Sequence, residues 1–256
     1  MGGALAQAVA KTANPYDIAL CDANIEKSAA LAESLGCGVA LLEQVAADCE
    51  YIFLGVKPQG FEGLFEEISP ILQKRKDRFV LISMAAGISI SAIEKMCKMK
   101  APIIRIMPNT PVSVGEGMIL YTANDAVTDV DIDTFLHALT KAGKLDEIAE
   151  DKIDAASALS GCGPAFVYLF AEALADGAVE CGLPRDKAML YAAQTLTGAA
   201  KLLLESGKHP GVLKDEVCSP GGTTIAGVHA LEEGGFRASA INAVCAAYEK
   251  TLKLKK

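Results

Sequence analysis

The sequence lacks several features that mark whole classes of protein. It has no tryptophan and only three histidines, and none of its eight cysteines stands in a C-x-x-C pair. Zinc and iron–sulfur sites need such pairs or histidines at ligand spacing, so we expect no metal. Basic residues are also few, since 24 Lys and Arg stand against 32 Asp and Glu, a formal charge of −8. This balance argues against a nucleic-acid partner or an anionic membrane surface, where a basic face is expected.

A signal peptide and a long uninterrupted apolar run are missing as well. No stretch approaches the ~18 consecutive apolar residues of a membrane-spanning helix, so we expect no membrane partner. Most cysteines fall in apolar segments, so we expect them to be buried and to behave as small hydrophobic residues. We also expect the protein to occupy a reducing compartment, where thiols stay free. These absences predict a cytoplasmic protein. The 256 residues, 51% of them hydrophobic, suffice for one large domain or two modest ones.

What is present divides into two halves, and the first half alternates strands with helices. A helical pattern follows the first β-rich run, over residues 23–36, and closes on Gly36 as a C-terminal cap. Strand–helix–strand alternation predicts a Rossmann-like, doubly wound parallel sheet of the α/β class over residues 1–150. The predicted strands are YDIALCD (16–22), YIFLGV (51–56), RFVLISM (78–84), PIIRIMP (102–108) and GMILYT (117–122).

The second half, residues 151–256, is predicted to be entirely helical. Its helical segments are 150–158, 164–182, 184–206 and 235–254. Two of them are apolar nearly all round, and a helix without a polar face is buried. A small helical domain cannot easily bury so many faces alone, so we predict a partner subunit packed through this half. A compact monomeric bundle remains the alternative.

The chain opens MGGALAQAVAKT, two glycines followed by a helical pattern of small residues. In a dinucleotide-binding unit, glycines let the backbone approach the pyrophosphate, and a carboxylate about 20 residues later contacts the ribose. Asp22 lies at that distance from Gly2, at the end of the first apolar run. A carboxylate there accepts from the 2′-hydroxyl of NAD and repels the 2′-phosphate of NADP. Asp22 is equally suited to cap the following helix, and both roles can coexist.

Three further strand ends carry candidate residues, because such sheets bind ligands beyond the carboxyl ends of their strands. Lys57, in GVKPQG, can face a phosphate, a carboxylate or a ribose, although Pro58 by itself also explains the turn. The small residues of SMAAGIS let the backbone approach a planar ring closely. In RIMPNTP, Asn109 offers both a donor and an acceptor.

The string CSPGGTT, residues 218–224, predicts a loop that runs into a helix beginning near Thr223. The first N–H groups of a helix are free, so its start is an anion site. A carboxylate bound there needs no cationic side chain. Alternatively, the threonine hydroxyls cap their own helix.

These blocks, taken together and in order, resemble the delta-1-pyrroline-5-carboxylate reductase family. The resemblance runs from Gly2 to the C-terminus, and SPGGTT is its most specific part. It implies hydride transfer from NADPH or NADH to the C=N carbon of a cyclic imino acid, giving L-proline in the last step of proline biosynthesis. It also implies a homodimer through an all-α dimerisation domain, with higher assembly of dimers known in the family. The matching blocks are VKP (56–58), AAG (85–87), MPNTP (107–111), SGCGPA (160–165), GLP (182–184), HPG (209–211), LKDEVCSPGGTTIAGVHALE (213–232) and GGFR (234–237).

The resemblance assigns roles to individual residues. Thr224 matches the threonine that hydrogen-bonds the substrate, and we predict it as the catalytic residue, acting by position. Gly222 and Thr223 match the backbone that holds the substrate carboxylate, and Ser219 lies in the same substrate-binding loop. The cofactor-binding set comprises Gly2, Asp22, Gly55, Val56, Lys57 and Pro58, Ala85, Ala86 and Gly87 near the nicotinamide ring, and Asn109.

Three departures from the family pattern stand out. Cys162 replaces a serine, Thr223 occupies a place that is often alanine, and Met1–Ala4 matches only the last part of the glycine-rich turn. We therefore expect the first strand of the sheet and two glycines to be missing, about 10 residues by usual strand and turn lengths. Two alternatives stay open. One is an inactive or regulatory NAD(P)-binding paralogue. The other is a different imine reductase or a 3-hydroxy acid dehydrogenase, whose general base would be a residue such as His209 or His229.

Overall fold

The structure is a computed structural model that describes residues 1–254. The chain divides into two compact units. One comprises Met1–Cys162 together with the residues from Tyr248 onward, and the other comprises Gly163–Ala247. The first unit is α/β and the second is helical, as the change of pattern along the sequence predicts.

The strands of the first unit form two sheets. A two-stranded parallel sheet joins β1 to β2, and a five-stranded sheet has the order β3-β4-β5-β6-β7. Strand β3 is therefore an edge strand of the larger sheet within the described residues. The strands are β1 (Ala19–Leu20), β2 (Gly38–Val39), β3 (Tyr51–Leu54), β4 (Val80–Ser83), β5 (Ile103–Pro108), β6 (Gly117–Ala123) and β7 (Gly143–Glu147).

The larger sheet is not parallel throughout. Strands β3, β4 and β5 are mutually parallel, but β6 runs antiparallel to β5 and parallel to β7. The connection from Pro108 to Gly117 is only a turn of 3-10 helix, Thr110–Val114. A parallel crossover needs a dozen or more residues, so this short connection requires β6 to reverse direction.

Helices cover both faces of the five-stranded sheet. Along β4, Leu81 packs into one hydrophobic cluster with Phe65 of α4, whereas Val80 and Ile82 pack into a second cluster with Phe135 of α6. Alternate residues of a strand point to opposite faces, so a strand buried on both sides reads as a continuous apolar run. The helices are α1 (Gly2–Val9), α2 (Ile25–Leu35), α3 (Leu42–Asp48), α4 (Phe61–Leu72), α5 (Ile90–Cys97), α6 (Asp129–Ala138) and α7 (Ile153–Ser160).

The first predicted strand and helix differ in detail from the structure. Strand β1 is only two residues long, because the segment before it forms a 3-10 helix, Pro15–Asp17. The N-cap of α2 is Asn24, whose Oδ1 accepts from the backbone N–H of Lys27 at 3.2 Å. Asp22 is thus not the helix cap. The predicted C-terminal cap is confirmed, since Gly36 has the left-handed conformation, φ 69°.

The second unit has little hydrophobic core of its own. Within residues 163–247, the buried hydrophobic residues are Ala175, Ala188 and Ala192, while leucines and tyrosines on α8 and α9 are exposed. By length and composition alone, the stretch Glu150–Glu180 is apolar enough to cross a membrane, which is weak evidence because core helices share these properties. The helices are α8 (Gly163–Glu180), α9 (Arg185–Ser206), α10 (Pro210–Val217), α11 (Thr223–Glu233) and α12 (Phe236–Leu254), the last of which continues into the first unit.

The cysteines are mostly not the buried hydrophobes that their apolar neighbours predict. All eight are free thiols, and only Cys97 is buried, where desolvation raises its pKa to about 11. Cys21, Cys162 and Cys181 are exposed, as is Cys245. The prediction was wrong because Cys21 follows the two-residue strand β1, Cys162 and Cys181 lie in the turns before and after α8, and Cys245 lies on α12.

One ion pair braces the sheet against α6 and gives the fold a pH dependence. Arg78, just before β4, donates from Nε to Oδ1 of Asp131 at 2.8 Å and from Nη2 to Oδ2. Asp131 is buried and also accepts from the backbone N–H of Thr128 at 2.6 Å. The Arg78 guanidinium holds the pKa of Asp131 well below its ordinary value of 3.8.

A lowered pKa in the folded state means that the carboxylate stabilises the fold above the unfolded pKa and that this stabilisation is lost as pH falls. We expect Asp131→Asn to lower the free energy of unfolding at pH 7 by about 1–3 kcal/mol. The difference from wild type should shrink as pH falls below 3.8 toward the lowered pKa. Urea unfolding between pH 7 and pH 3 measures this. Asp133→Asn, on the exposed face of the same helix, is the control, and an equal loss there would contradict the assignment.

Candidate active site

The candidate cofactor residues follow three neighbouring strands of the five-stranded sheet. Gly55–Pro58 follow β3, Ala85–Gly87 follow β4, and Asn109 follows β5. These three strands are parallel and adjacent, so the loops after them lie at one edge of the sheet. The structure thereby brings together segments that lie up to 54 residues apart in the sequence, from Gly55 to Asn109.

The start of α1 lies against the first of these loops. A Cβ added to Gly55 would be 3.7 Å from Cα of Gly2, and a Cβ added to Gly3 would be 3.3 Å from Cδ2 of Leu31 in α2. The first α-helical bond runs from the N–H of Leu5 to the carbonyl of Met1, and no side chain caps the helix. The N–H groups of Gly2 and its two successors are therefore available to an anion.

Asp22 lies just beyond the end of β1 and is exposed. Its Oδ1 accepts from the backbone N–H of Asn24 at 2.8 Å, which holds the turn into α2. Its other carboxylate oxygen has no hydrogen-bond partner within residues 1–254. The side chain can hold the turn and still accept from a ligand hydroxyl.

The loop after β3 presents one cation. Lys57 is exposed and forms no ion pair within the described part of the chain, while its carbonyl accepts from the N–H of Gly60 at 2.9 Å in the turn that begins at Pro58. The Val56 side chain folds back over this turn, so that a Cβ at Gly60 would be 2.8 Å from its Cγ1. The arrangement leaves the Lys57 ammonium free for a phosphate, a ribose or a carboxylate.

The loop after β4 consists of small residues that differ in exposure and in backbone conformation. Ala85 is 2% exposed, Ala86 is exposed, and Gly87 has φ +76°, a left-handed conformation that a residue with a side chain rarely adopts. The loop thus has the small side chains that close approach to a planar ring requires.

Asn109 uses its side chain within the protein. Its Oδ1 accepts from the backbone N–H of Met118 at 2.9 Å, and its Nδ2 donates to the carbonyl of Ser160 at 3.0 Å. The residue is 9% exposed. These bonds tie the turn after β5 to the start of β6 and the end of α7. The cofactor contact of Asn109 stays a prediction, and the geometry gives the residue a bracing role in addition.

The candidate substrate residues lie in the second unit, where the loop after α10 enters α11. The N–H of Gly222 donates to the carbonyl of Ser219 at 3.0 Å, and Gly221 has φ +70°. A Cβ on Gly222 would be 2.3 Å from Oγ of Ser219, so a side chain at this N-cap would displace the serine hydroxyl. No side chain caps the helix, and Thr223 and Thr224 are exposed with hydroxyls unbonded within residues 1–254. The self-capping alternative is therefore not what the structure shows, and the helix start is open to an anion.

One charged cluster next to the cofactor edge is not among the residues that the sequence predicts for the site. Arg105 of β5, Glu150 before α7, and Asp154 within α7 form two ion pairs, each at 3.2 Å. A charged residue inside the apolar run PIIRIMP was the available signal, since a buried charge requires partners. The identity of those partners, 45 and 49 residues away, was not predictable from local pattern.

Two family models match the chain, one over each half. A model described as pyrroline-5-carboxylate reductase dimerisation matches residues 150–254. A model described as NADP oxidoreductase, coenzyme F420-dependent, matches residues 1–87.

Proteins that are similar along nearly the whole chain are also named pyrroline-5-carboxylate reductases. A pyrroline-5-carboxylate reductase from Pisum sativum is 40% identical over 259 aligned residues, which cover 98% of this chain and 93% of that protein. A crystal structure of a Plasmodium falciparum pyrroline carboxylate reductase with NADP bound is 32% identical, with a TM-score of 0.86 over 100% of this chain and 95% of that one. The Coxiella burnetii pyrroline-5-carboxylate reductase structure is also 32% identical, with a TM-score of 0.90 over 100% and 94%. The order of motifs, the α/β and helical units, and this similarity along the whole length together place the chain in the pyrroline-5-carboxylate reductase family.

Proposed function

We propose that this protein reduces pyrroline-5-carboxylate to L-proline with hydride from NADPH or NADH, the last step of proline biosynthesis. Membership of the family supports the reaction. The single structural observation that carries it is the uncapped start of α11, with the hydroxyls of Thr223 and Thr224 exposed beside free backbone N–H groups. This is a site for a carboxylate without a cationic side chain, as the imino acid requires.

The cofactor-binding residues fit a dinucleotide. The free N–H groups at the start of α1, packed against Gly55, suit a pyrophosphate, and the exposed carboxylate of Asp22 suits an unphosphorylated ribose. Lys57 and the Ala85–Gly87 backbone lie at the sheet edge, where the nicotinamide end is expected. When bound, the cofactor supplies the hydride. The protein supplies position, because each of these groups is held by the end of a strand or helix.

The chemistry needs little from protein side chains. Ser219 and Gly222 shape the loop, the N–H groups of Thr223 and Thr224 hold the substrate carboxylate, and the Thr224 hydroxyl orients the ring. Hydride attack is easier on a protonated iminium, and a cyclic imine takes its proton from solvent. Alignment of the reacting carbons is therefore the main contribution of the protein, and Thr224 acts as a positioner rather than as a proton source.

The settings of His209 and His229 argue against the hydroxy acid dehydrogenase alternative, which would use one of these histidines as its general base. Nδ1 of His209 accepts from the backbone N–H of Gly211 at 3.1 Å, which caps α10. His229 is exposed on α11, with Nε2 at 3.4 Å from Glu233. Neither histidine has the oriented, partly buried setting of a general base.

We also propose the organisation of the whole protein. Residues 1–150 form the NAD(P)-binding domain and residues 151–256 the helical domain, which binds substrate and joins two copies in a homodimer. The exposed apolar side chains of α8 and α9 support the dimer, because a monomer would leave them in water. A cytoplasmic location, without nucleic-acid or membrane partners, fits the acidic composition.

A steady-state assay tests the function. The protein is mixed with pyrroline-5-carboxylate and either NADH or NADPH, and a parallel panel offers proline with NAD⁺ and several 3-hydroxy acids with NAD⁺ or NADP⁺. We expect imino acid reduction to dominate. Binding of the dinucleotide without turnover of any imino acid would favour the inactive paralogue instead.

Thr224→Ala tests the assignment of the α11 loop. Loss of a hydrogen bond to a charged substrate should raise KM for pyrroline-5-carboxylate about tenfold and lower kcat/KM in proportion, with the affinity for NADH little changed. His229→Ala, farther along the same helix, is the control and should leave both parameters at wild-type values. A collapse of NADH affinity with normal substrate kinetics would show that the loop has been wrongly assigned.

A further inference from the structure

The loop between β4 and α5, residues 84–89, is weakly held by its own hydrogen bonds. The N–H of Ala85 donates to Oγ of Ser83 at 3.4 Å, and the N–H of Ile88 donates to the carbonyl of Ala85 at 3.5 Å. Both distances lie beyond the usual 2.7–3.2 Å range for N–H···O bonds. The conformation of the Ala85–Gly87 turn therefore depends on how the two ends of the loop are anchored.

One carboxylate oxygen links the helix end of this loop to β5, the strand paired with β4. Oε1 of Glu150 accepts from the backbone N–H of Ile90, the first residue of α5, at 2.7 Å. The same atom accepts from Nη1 of Arg105 at 3.2 Å. Arg105 is the register neighbour in β5 of Ser83, the last residue of β4 before the loop. A single atom thus ties the first residue of α5 to the side chain of Arg105, in the strand beside the last residue of β4.

The buried side chain of Arg105 is held in place by two ion pairs. Arg105 is 3% exposed, and its Nη2 donates to Oδ1 of Asp154 at 3.2 Å. A buried guanidinium must stay paired, so two carboxylates hold its orientation. The Glu150 carboxylate also lies at the N-terminus of α5, where the partial positive charge of the helix favours an anion.

From this geometry we propose that Glu150 is a positioning residue, which sets the backbone of the Ala85–Gly87 turn for the nicotinamide end of the dinucleotide. The inference rests on the proposed function, which places this turn beside the ring. Glu150 touches neither cofactor nor substrate in this proposal and acts only through Ile90 and Arg105. Its removal should therefore affect one end of the dinucleotide and not the other.

The test compares two ligands that differ in the nicotinamide end. NADH has it and ADP-ribose lacks it, and the affinity of each for the full-length protein is measured by titration calorimetry. We expect Glu150→Ala to raise the Kd of NADH about fivefold to tenfold and to leave the Kd of ADP-ribose within about twofold, since only one anchor of the turn is lost. In steady-state kinetics, KM for NADH should rise while KM for pyrroline-5-carboxylate stays constant.

Asp151→Ala is the matched control, because Asp151 is the next residue, is also a carboxylate, and within residues 1–254 pairs only with the exposed Lys152, at 3.1 Å. It should bind both ligands as the wild type does. Glu150→Gln keeps an oxygen acceptor without the charge and should weaken NADH by a smaller factor, about threefold. If Glu150→Ala does not fold, the glutamine variant decides by the same ligand comparison.

Unchanged affinity for both ligands, or equal weakening of both, would overturn the positioning role. The two proposals fail in different ways. A wild type that binds NADH but does not reduce pyrroline-5-carboxylate refutes the function, and the ligand comparison still decides the role of Glu150. A wild type that binds neither NADH nor ADP-ribose refutes both.

Discussion

Replacing Asp22 by serine should weaken the use of NADH and improve the use of NADPH. The carboxylate accepts from the 2′-hydroxyl of an unphosphorylated ribose and repels a 2′-phosphate, whereas serine can donate to that phosphate. A bond to a charged group contributes about 1.5–3 kcal/mol, so each cofactor should change about tenfold or more, in opposite directions. The ratio of kcat/KM values for NADH and NADPH should shift about 100-fold.

The structure indicates that this substitution should change the ribose contact without changing the fold of the turn. Oδ1 of Asp22 holds the N–H of Asn24 at 2.8 Å, and a serine hydroxyl can form a similar local bond, so the turn into α2 should survive. Asp17→Ser is the control, because Asp17 is an exposed aspartate in the 3-10 helix before β1. If the ratio of kcat/KM values for the two cofactors is the same in Asp22→Ser and wild type, the carboxylate only shapes the turn.

Leu190→Glu should separate the proposed dimer into monomers. Leu190 lies on α9 and is 63% exposed in the single chain, in a unit whose buried hydrophobic residues are three alanines. A glutamate in an apolar interface loses water without gaining a partner, so the dimer dissociation constant should rise about 100-fold or more. Sedimentation should then report a mass near the 26.7 kDa of one chain instead of twice that value.

The matched control is Leu41→Glu, the same substitution at a leucine of the α/β unit that is 62% exposed. It should leave the dimer intact, because exposure of an apolar side chain does not by itself make an interface. A wild type that sediments as a single chain would contradict the dimer. Equal dissociation in both variants would contradict the placement of the interface on the helical unit.

Elements with strong local patterns were predictable. The apolar runs at β4 and β5 identify strands covered on both faces, and Gly36 marks the end of α2. Helices α8, α9 and α12 begin and end within a few residues of the predicted bounds, whereas α10 was not predicted. These features depend on the period of apolar residues and on residues adjacent to a helix end, and both can be recognised within a short window.

Short or exposed elements were not predictable in the same way. Strands β1 and β2 have two residues each, and β7 carries the polar sequence GKLDE. Whether these segments form strands depends more on the strands they pair with than on their own residues. The N-cap of α2 shows the same limit, because Asp22, Ala23 and Asn24 offer two capping residues and the path of the chain selects Asn24.

The sequence by itself determined the two halves, the helix starts near Gly2 and Thr223, and the strand ends that carry Lys57 and Ala85. Only the tertiary structure decided the reversed direction of β6, the use of the Asn109 amide by Met118 and Ser160, and the pairing of Arg105 with Glu150 and Asp154. The physical reason is the distance along the sequence between the residues that interact. Helix and strand formation depends on neighbours a few residues away, whereas a buried charge or amide takes whichever partner packing brings within about 3 Å.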